Sequence, residues 1–140
     1  VAGLSLSDKW RSDTITYLGV FAHEFPNMMM VAGPQSVSVS TNYPRTIEFC
    51  VDWLTKLLMQ ARQSGWTRIE ASREAELAWV DAVTDAQSRM PFSQVKSWFT
   101  GYAPGGEGAA RHNAYWGGGP RYRKFLEEVE QDGYKTINLG

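Results

Sequence analysis

The chain has 140 residues, 43% apolar and 21% charged, with a net charge of −1. Such a length can bury about two-thirds of the unfolded surface around one core. The balanced charge excludes a dedicated nucleic-acid surface or a polybasic membrane patch, which need an excess of Lys and Arg. A single cysteine, Cys50, excludes an internal disulfide framework and a cysteine-based zinc site. It stands in an apolar helical stripe and reads as an inert core thiol. Val1–Trp10 lacks a basic region followed by an apolar run, and no stretch approaches the ~20 apolar residues of a membrane span, so a cytoplasmic protein without a membrane partner is expected. Six Trp raise the aromatic share to 13%, which suits flat walls for a ring-shaped ligand, although core packing accounts better for most of them.

Leu4–Trp10 alternates weakly and reads as a short strand or strand end, and Thr14–Val20, β-branched and aromatic, reads as extended. Met28–Ala32 is a continuous apolar run closed by Gly33-Pro34, the pattern of a strand buried on both faces. Asn42 as N-cap and Pro44 in the first turn then open a helix whose stripe is Ile47, Cys50, Val51, Leu54, Leu57, Leu58 and Ala61, with Gly65 ending it near Ser64. A second helix starts at Ser72, carries Glu74 and Glu76 against the positive end of its dipole, and turns Ala75, Trp79, Ala82, Val83 and Ala86 inward. Pro91–Gly119 is Gly-rich and irregular, and a structureless stretch of that length inside a domain tends to be functional. The last helix begins near Pro120, buries Tyr122, Phe125, Leu126 and Val129, and ends at Gly133.

One buried strand feeding one long helix is half of a doubly wound unit. The pattern is therefore α/β: the end of a larger doubly wound, Rossmann-like domain over residues 1–70, followed by a helical and irregular extension over 71–140. A strand with no neighbours of its own leaves backbone groups unpaired. The 140 residues are thus expected to be stable only when docked on the remainder of a larger protein or associated with another chain.

The strongest candidate site is Gly33–Tyr43, because ligands in open α/β sheets gather beyond strand ends where a loop enters a helix N-terminus. Free N–H groups and partial positive charge there suit a ligand edge that carries negative charge; a plain capping role explains Asn42 equally well. Elsewhere the signals are poor. His23 and His112 are lone histidines with no second metal ligand, no Gly-x-Ser-x-Gly elbow occurs, and Gly117–Gly119 with Arg121 and Arg123 lacks the lysine of a phosphate loop and reads as a turn. No catalytic residue and no metal ligand is assigned.

Two stretches carry a resemblance. The first is Phe25-Pro26-Asn27-Met28-Met29-Met30-Val31-Ala32-Gly33-Pro34-Gln35-Ser36, continuing through Thr41-Asn42-Tyr43-Pro44 to Ile47-Glu48-Phe49-Cys50-Val51-Asp52-Trp53. The second pairs Ser97-Trp98-Phe99-Thr100-Gly101 with Tyr115-Trp116-Gly117-Gly118-Gly119-Pro120-Arg121-Tyr122-Arg123. In order and wording they resemble the C-terminal part of the flavin-dependent Baeyer–Villiger monooxygenases, from about Lys9 to Tyr134. The resemblance implies a parent enzyme that uses FAD, NADPH and dioxygen to turn a ketone into an ester or lactone through a C4a-peroxyflavin. It assigns Gly33, Pro34, Asn42 and Tyr43 to the flavin side of the site, Ser38, Val39, Ser40 and Thr41 to the ketone pocket, and Trp98 to a loop closing over the nicotinamide cofactor. Tyr43 departs from the apolar residue common there, and Gly101-Tyr102-Ala103-Pro104-Gly105-Gly106-Glu107 lacks the family's Asn and Lys. Neither Gly-x-Gly-x-x-Gly turn of such an enzyme occurs in these residues, so the partners implied are a small-molecule ketone and the remainder of the flavoenzyme, and the chain alone is expected to be inactive. Two alternatives stand beside this: a non-catalytic interaction module derived from a flavoprotein, and an enzyme oxygenating nitrogen or sulfur.

Overall fold

The computed structural model describes residues 3–36, 41–91 and 113–140. Within them the chain forms α1 (Leu6–Lys9), α2 (Tyr43–Ser64), β1 (Ile69–Ala71), α3 (Arg73–Ser88), α4 (Gly119–Gln131) and β2 (Ile137–Leu139). The capping chemistry sets the long helices. Asn42 Oδ1 accepts from the Arg45 N–H at the start of α2, and Gly65, at φ 72°, lets its N–H reach the Ala61 carbonyl at the end. Ser72 caps α3 in the same way, its hydroxyl accepting from the Ala75 N–H at 3.1 Å.

β1 and β2 pair antiparallel, Ile69 opposite Leu139 and Ala71 opposite Ile137, and make a two-stranded sheet beside the helices. α2 packs on α4. Phe49 meets Arg123, the Trp53 indole N–H donates to the Leu126 carbonyl at 2.7 Å, and Lys56 pairs with Glu130 at 3.0 Å. The contacts rise together along both helices, so α2 and α4 run parallel with their N-termini side by side. The core between these elements is aromatic: Trp53 stacks edge-on with Phe21 and Tyr134, and Trp79 gathers Tyr115, Tyr122 and Phe125 at ring distances of 5.0 to 6.0 Å. Position 70, the expected edge between two parts, lies within β1, and the core draws on residues from both sides of it.

Three expectations change. Leu4–Trp10 is not a strand: Ser5 caps a short helix there, its hydroxyl accepting from the Asp8 N–H. Thr14–Val20 is not a continuous strand either, since Tyr17 bridges Phe21 across a tight turn with Leu18 and Gly19 at positive φ. Met28–Ala32, read as a strand buried on both faces, forms no strand. Val31 is 47% exposed, Ala32 sits at φ 57°, and the backbone is held by single bonds, Met30 N–H to the Val20 carbonyl and Gly33 N–H to the Gly19 carbonyl. The apolar run thus packs against the turn before it, and β1 and β2 supply the sheet instead. Among the described residues no helix is long and apolar enough to cross a membrane.

Candidate functional site

Two interlocked turns build the approach to α2. Residues 33–36 close on themselves, the Ser36 N–H donating to the Gly33 carbonyl at 3.1 Å with Gln35 at φ 63°. This turn presses on the turn at Gly19. A Cβ at Gly19 would stand 2.6 Å from the Ser36 nitrogen, and one at Gly33 would stand 2.6 Å from the Gly19 oxygen, so both positions need glycine for close approach.

Gln35, 2% exposed, is the pin of the arrangement. Its Oε1 accepts from the Thr16 N–H at 2.9 Å, its N–H donates to the Asn113 carbonyl at 2.8 Å, and its own carbonyl accepts from the Trp79 indole at 3.2 Å. Thr16 also donates its hydroxyl to the Pro34 carbonyl at 2.9 Å, and the Tyr115 N–H donates to the Ser36 carbonyl at 2.7 Å. Below, the Tyr122 hydroxyl donates to the Leu18 carbonyl at 2.6 Å, and burial holds its pKa well above the phenol range. Burial also pushes the Cys50 thiol up, partly offset by the Ala32 backbone. Five non-glycine residues between Leu18 and Gln35 adopt positive φ. Such backbone persists only where neighbours over-determine it.

Of the sequence-predicted residues, Gly33 and Pro34 lie in this turn, and Asn42 and Tyr43 open α2 beside it; Ala32, Ser36, Tyr43 and Thr46 line one small shared space. Thr41 lies against Gly119 of α4. Ser38, Val39, Ser40 and Trp98 fall outside the described residues. Gln35, Thr16, Trp79 and Tyr115 were not foreseen as site residues, because each acts through a backbone bond that residue type does not announce.

The first turn of α2 has a defined supply of donors. Pro44 has none, the Arg45 N–H is taken by the Asn42 side chain, and the Thr46 N–H by the Asn42 carbonyl. Among the described residues the N–H groups of Asn42 and Tyr43 bond to nothing, and both residues are exposed. Two free donors on the positive end of a 22-residue helix suit an electron-rich carbonyl edge. No group of three His, Cys, Asp or Glu among the described residues could hold a metal.

The chain is similar to segments of known flavin monooxygenases. The chain is 34% identical over 138 residues to the FAD-binding monooxygenase VdtE of Byssochlamys spectabilis, covering 98% of the chain and 24% of that protein. It is 37% identical over 137 residues to the phenazine N-monooxygenase PhzNO1 of Lysobacter antibioticus, covering 98% and 25%. Its fold matches cyclohexanone monooxygenase from Rhodococcus sp. Phi1 bound to NADP+ with a TM-score of 0.90 and 34% identity, over 99% of the chain and 25% of that structure. Its homologues are Baeyer–Villiger and other flavin monooxygenases. The chain spans about a quarter of the length of these monooxygenases. No family model matches it. The mixed helix and sheet architecture is that of an α/β segment of such an enzyme.

Proposed function

We propose that this chain forms part of an FAD- and NADPH-dependent monooxygenase that inserts one oxygen atom of O2 beside a ketone carbonyl, and that the chain alone does not catalyse. The observation that carries the reading is likeness along almost the whole chain, 34% identity and a TM-score of 0.90 to a cyclohexanone monooxygenase over 99% of its residues. Flavin, when bound, supplies the redox chemistry with dioxygen. This chain supplies position and polarity. The N–H groups of Asn42 and Tyr43 donate to the pyrimidine edge of the ring, and the α2 dipole favours negative charge there. Gly33 and Pro34, fixed by Thr16 and Gln35, allow backbone to approach the flavin. Ser38, Val39, Ser40 and Thr41 shape the ketone pocket, and Trp98 shields the nicotinamide cofactor from water. Residues 1–70 then close the flavin-binding part, and 71–140 form the extension.

A second reading, oxygenation of nitrogen, is favoured by the 37% identity to a phenazine N-monooxygenase. The test uses the complete protein in which this chain occurs. Purified with FAD and supplied with NADPH, it should convert cyclic ketones to lactones. Conversion of phenazine with no lactone formed would select the second reading. Protein that stays colourless after incubation with FAD would overturn both in favour of an interaction module.

A further inference from the structure

We propose that a cleft between the N-terminal turns of α2 and α4 binds the phosphate group of a small molecule, clasped by Arg45 and Arg123. The cleft holds about 320 Å³ and its lining includes Thr41, Arg45, Phe49, Gly119 and Arg123, with no carboxylate among the lining residues. Both guanidiniums stand over one ring: Arg45 lies 5.7 Å and Arg123 4.5 Å from the centroid of Phe49. Both arginines also line the one cleft, so an anion in it can reach donors from each. With Arg123 already paired to Glu127 the two still carry net positive charge, and phosphate oxygens suit the planar donor fork of arginine.

The surroundings leave donors of both arginines available. Glu127 accepts from Arg123 Nε at 2.6 Å, and among the described residues neither terminal nitrogen of Arg123 bonds to anything. Among the described residues the Arg45 side chain meets the Phe49 ring and pairs with no carboxylate. At the mouth, a Cβ at Gly119 would stand 3.3 Å from Thr41 Cγ2, so glycine there preserves the opening. The cleft is larger than a phosphate needs and leaves room for the organic body that carries it. Thr41 and Asn42 also line this cleft, so it adjoins the site proposed above for flavin and ketone.

The test is calorimetric titration of the complete protein in which this chain occurs with inorganic phosphate at low ionic strength, with sodium chloride and acetate as controls. Phosphate should bind at least about tenfold more tightly than acetate or chloride, because a dianion engages both forks. Arg45→Gln and Arg123→Gln should each weaken it about tenfold or more, while Arg121→Gln, exposed on the same helix but outside the lining, should leave it unchanged. Circular dichroism of the variants checks that the fold is kept, as expected for exposed positions. NADP+ and glycerol 3-phosphate, used as competitors, separate a dinucleotide source from a phosphorylated substrate, and displacement by either supports the proposal. Phosphate binding no tighter than chloride, or weakened equally by Arg121→Gln, or indifferent to both cleft variants, overturns it, as does failure of both competitors.

Discussion

Tyr122→Phe isolates one atom on which the two interlocked turns depend. The hydroxyl donates to the Leu18 carbonyl at 2.6 Å, and Leu18 is 1% exposed at φ 58°, so the orphaned oxygen cannot turn to water. Phe keeps the ring and its contacts with Trp79 and Tyr115. What is lost is one buried bond, and what is left is an unsatisfied acceptor, a cost of about 1–3 kcal/mol. For a chain of this size each kcal/mol lowers Tm by roughly 3–5 °C, so thermal unfolding followed by circular dichroism at neutral pH should show a clear drop. The same variant has a second signature. Because burial raises the Tyr122 pKa well above 10.0 in the folded chain, the phenol stays protonated there after its unfolded counterpart has ionised. Its contribution is therefore complete below about pH 10 and fades as pH climbs from there towards the folded value, at up to ~1.4 kcal/mol per pH unit. Phe has no such loss. The stability gap between the two proteins should narrow above pH 10. An unchanged Tm at neutral pH, or a gap that widens in alkali, would refute the reasoning.

Cys50, buried and with its pKa raised, should react with a disulfide reagent at pH 8 at least about a hundredfold more slowly than free cysteine, becoming fast only in denaturant; reaction within a few-fold of the free rate would show an open site. Glu76→Gln should cost about 3–5 kcal/mol in urea unfolding, since Glu76 is buried against Lys9 at 3.0 Å and also accepts the His23 N–H, and the variant strands a largely buried ammonium. A cost below about 1 kcal/mol would mean that Lys9 swings to solvent. Gly33→Ala should destabilise by about 1–3 kcal/mol, because the added methyl meets backbone at Gly19 rather than a yielding side chain. In the complete protein it should weaken FAD retention, measured by absorbance after dialysis, more than Gly65→Ala, whose site is spatially open.

The long helices were legible because their signals are local: Asn42 with Pro44, Ser72 with acidic residues behind it, and Gly65 at φ 72° all act within one turn. The apolar run Met28–Ala32 misled for the opposite reason. Its path is decided by positive φ at Asn27 and Ala32, non-glycine positions that composition does not mark, and by bonds to the Val20 and Gly19 carbonyls. β1 and β2 are three residues each, too short for an alternation to register, and each finds its partner far along the chain. At the candidate site, Gly33-Pro34 and the cap at Asn42 could be read directly. Gln35 could not, since its importance lies in three bonds made to Thr16, Asn113 and Trp79 after the turns have met.

The pairing of β1 with β2 imposes an order on how this structure is assembled. Ile69–Ala71 must wait for Ile137–Leu139, with α3 and α4 made in between. On a ribosome, β1 emerges well before its partner exists, and Ile69 and Ala71, almost wholly buried in the finished fold, are uncovered for that interval. Local helices such as α2 can form while synthesis continues, but the sheet registers only once Leu139 is free of the exit tunnel. Deleting Ile137–Leu139 should therefore leave Ile69 and Ala71 uncovered, a natural target for chaperones and proteases.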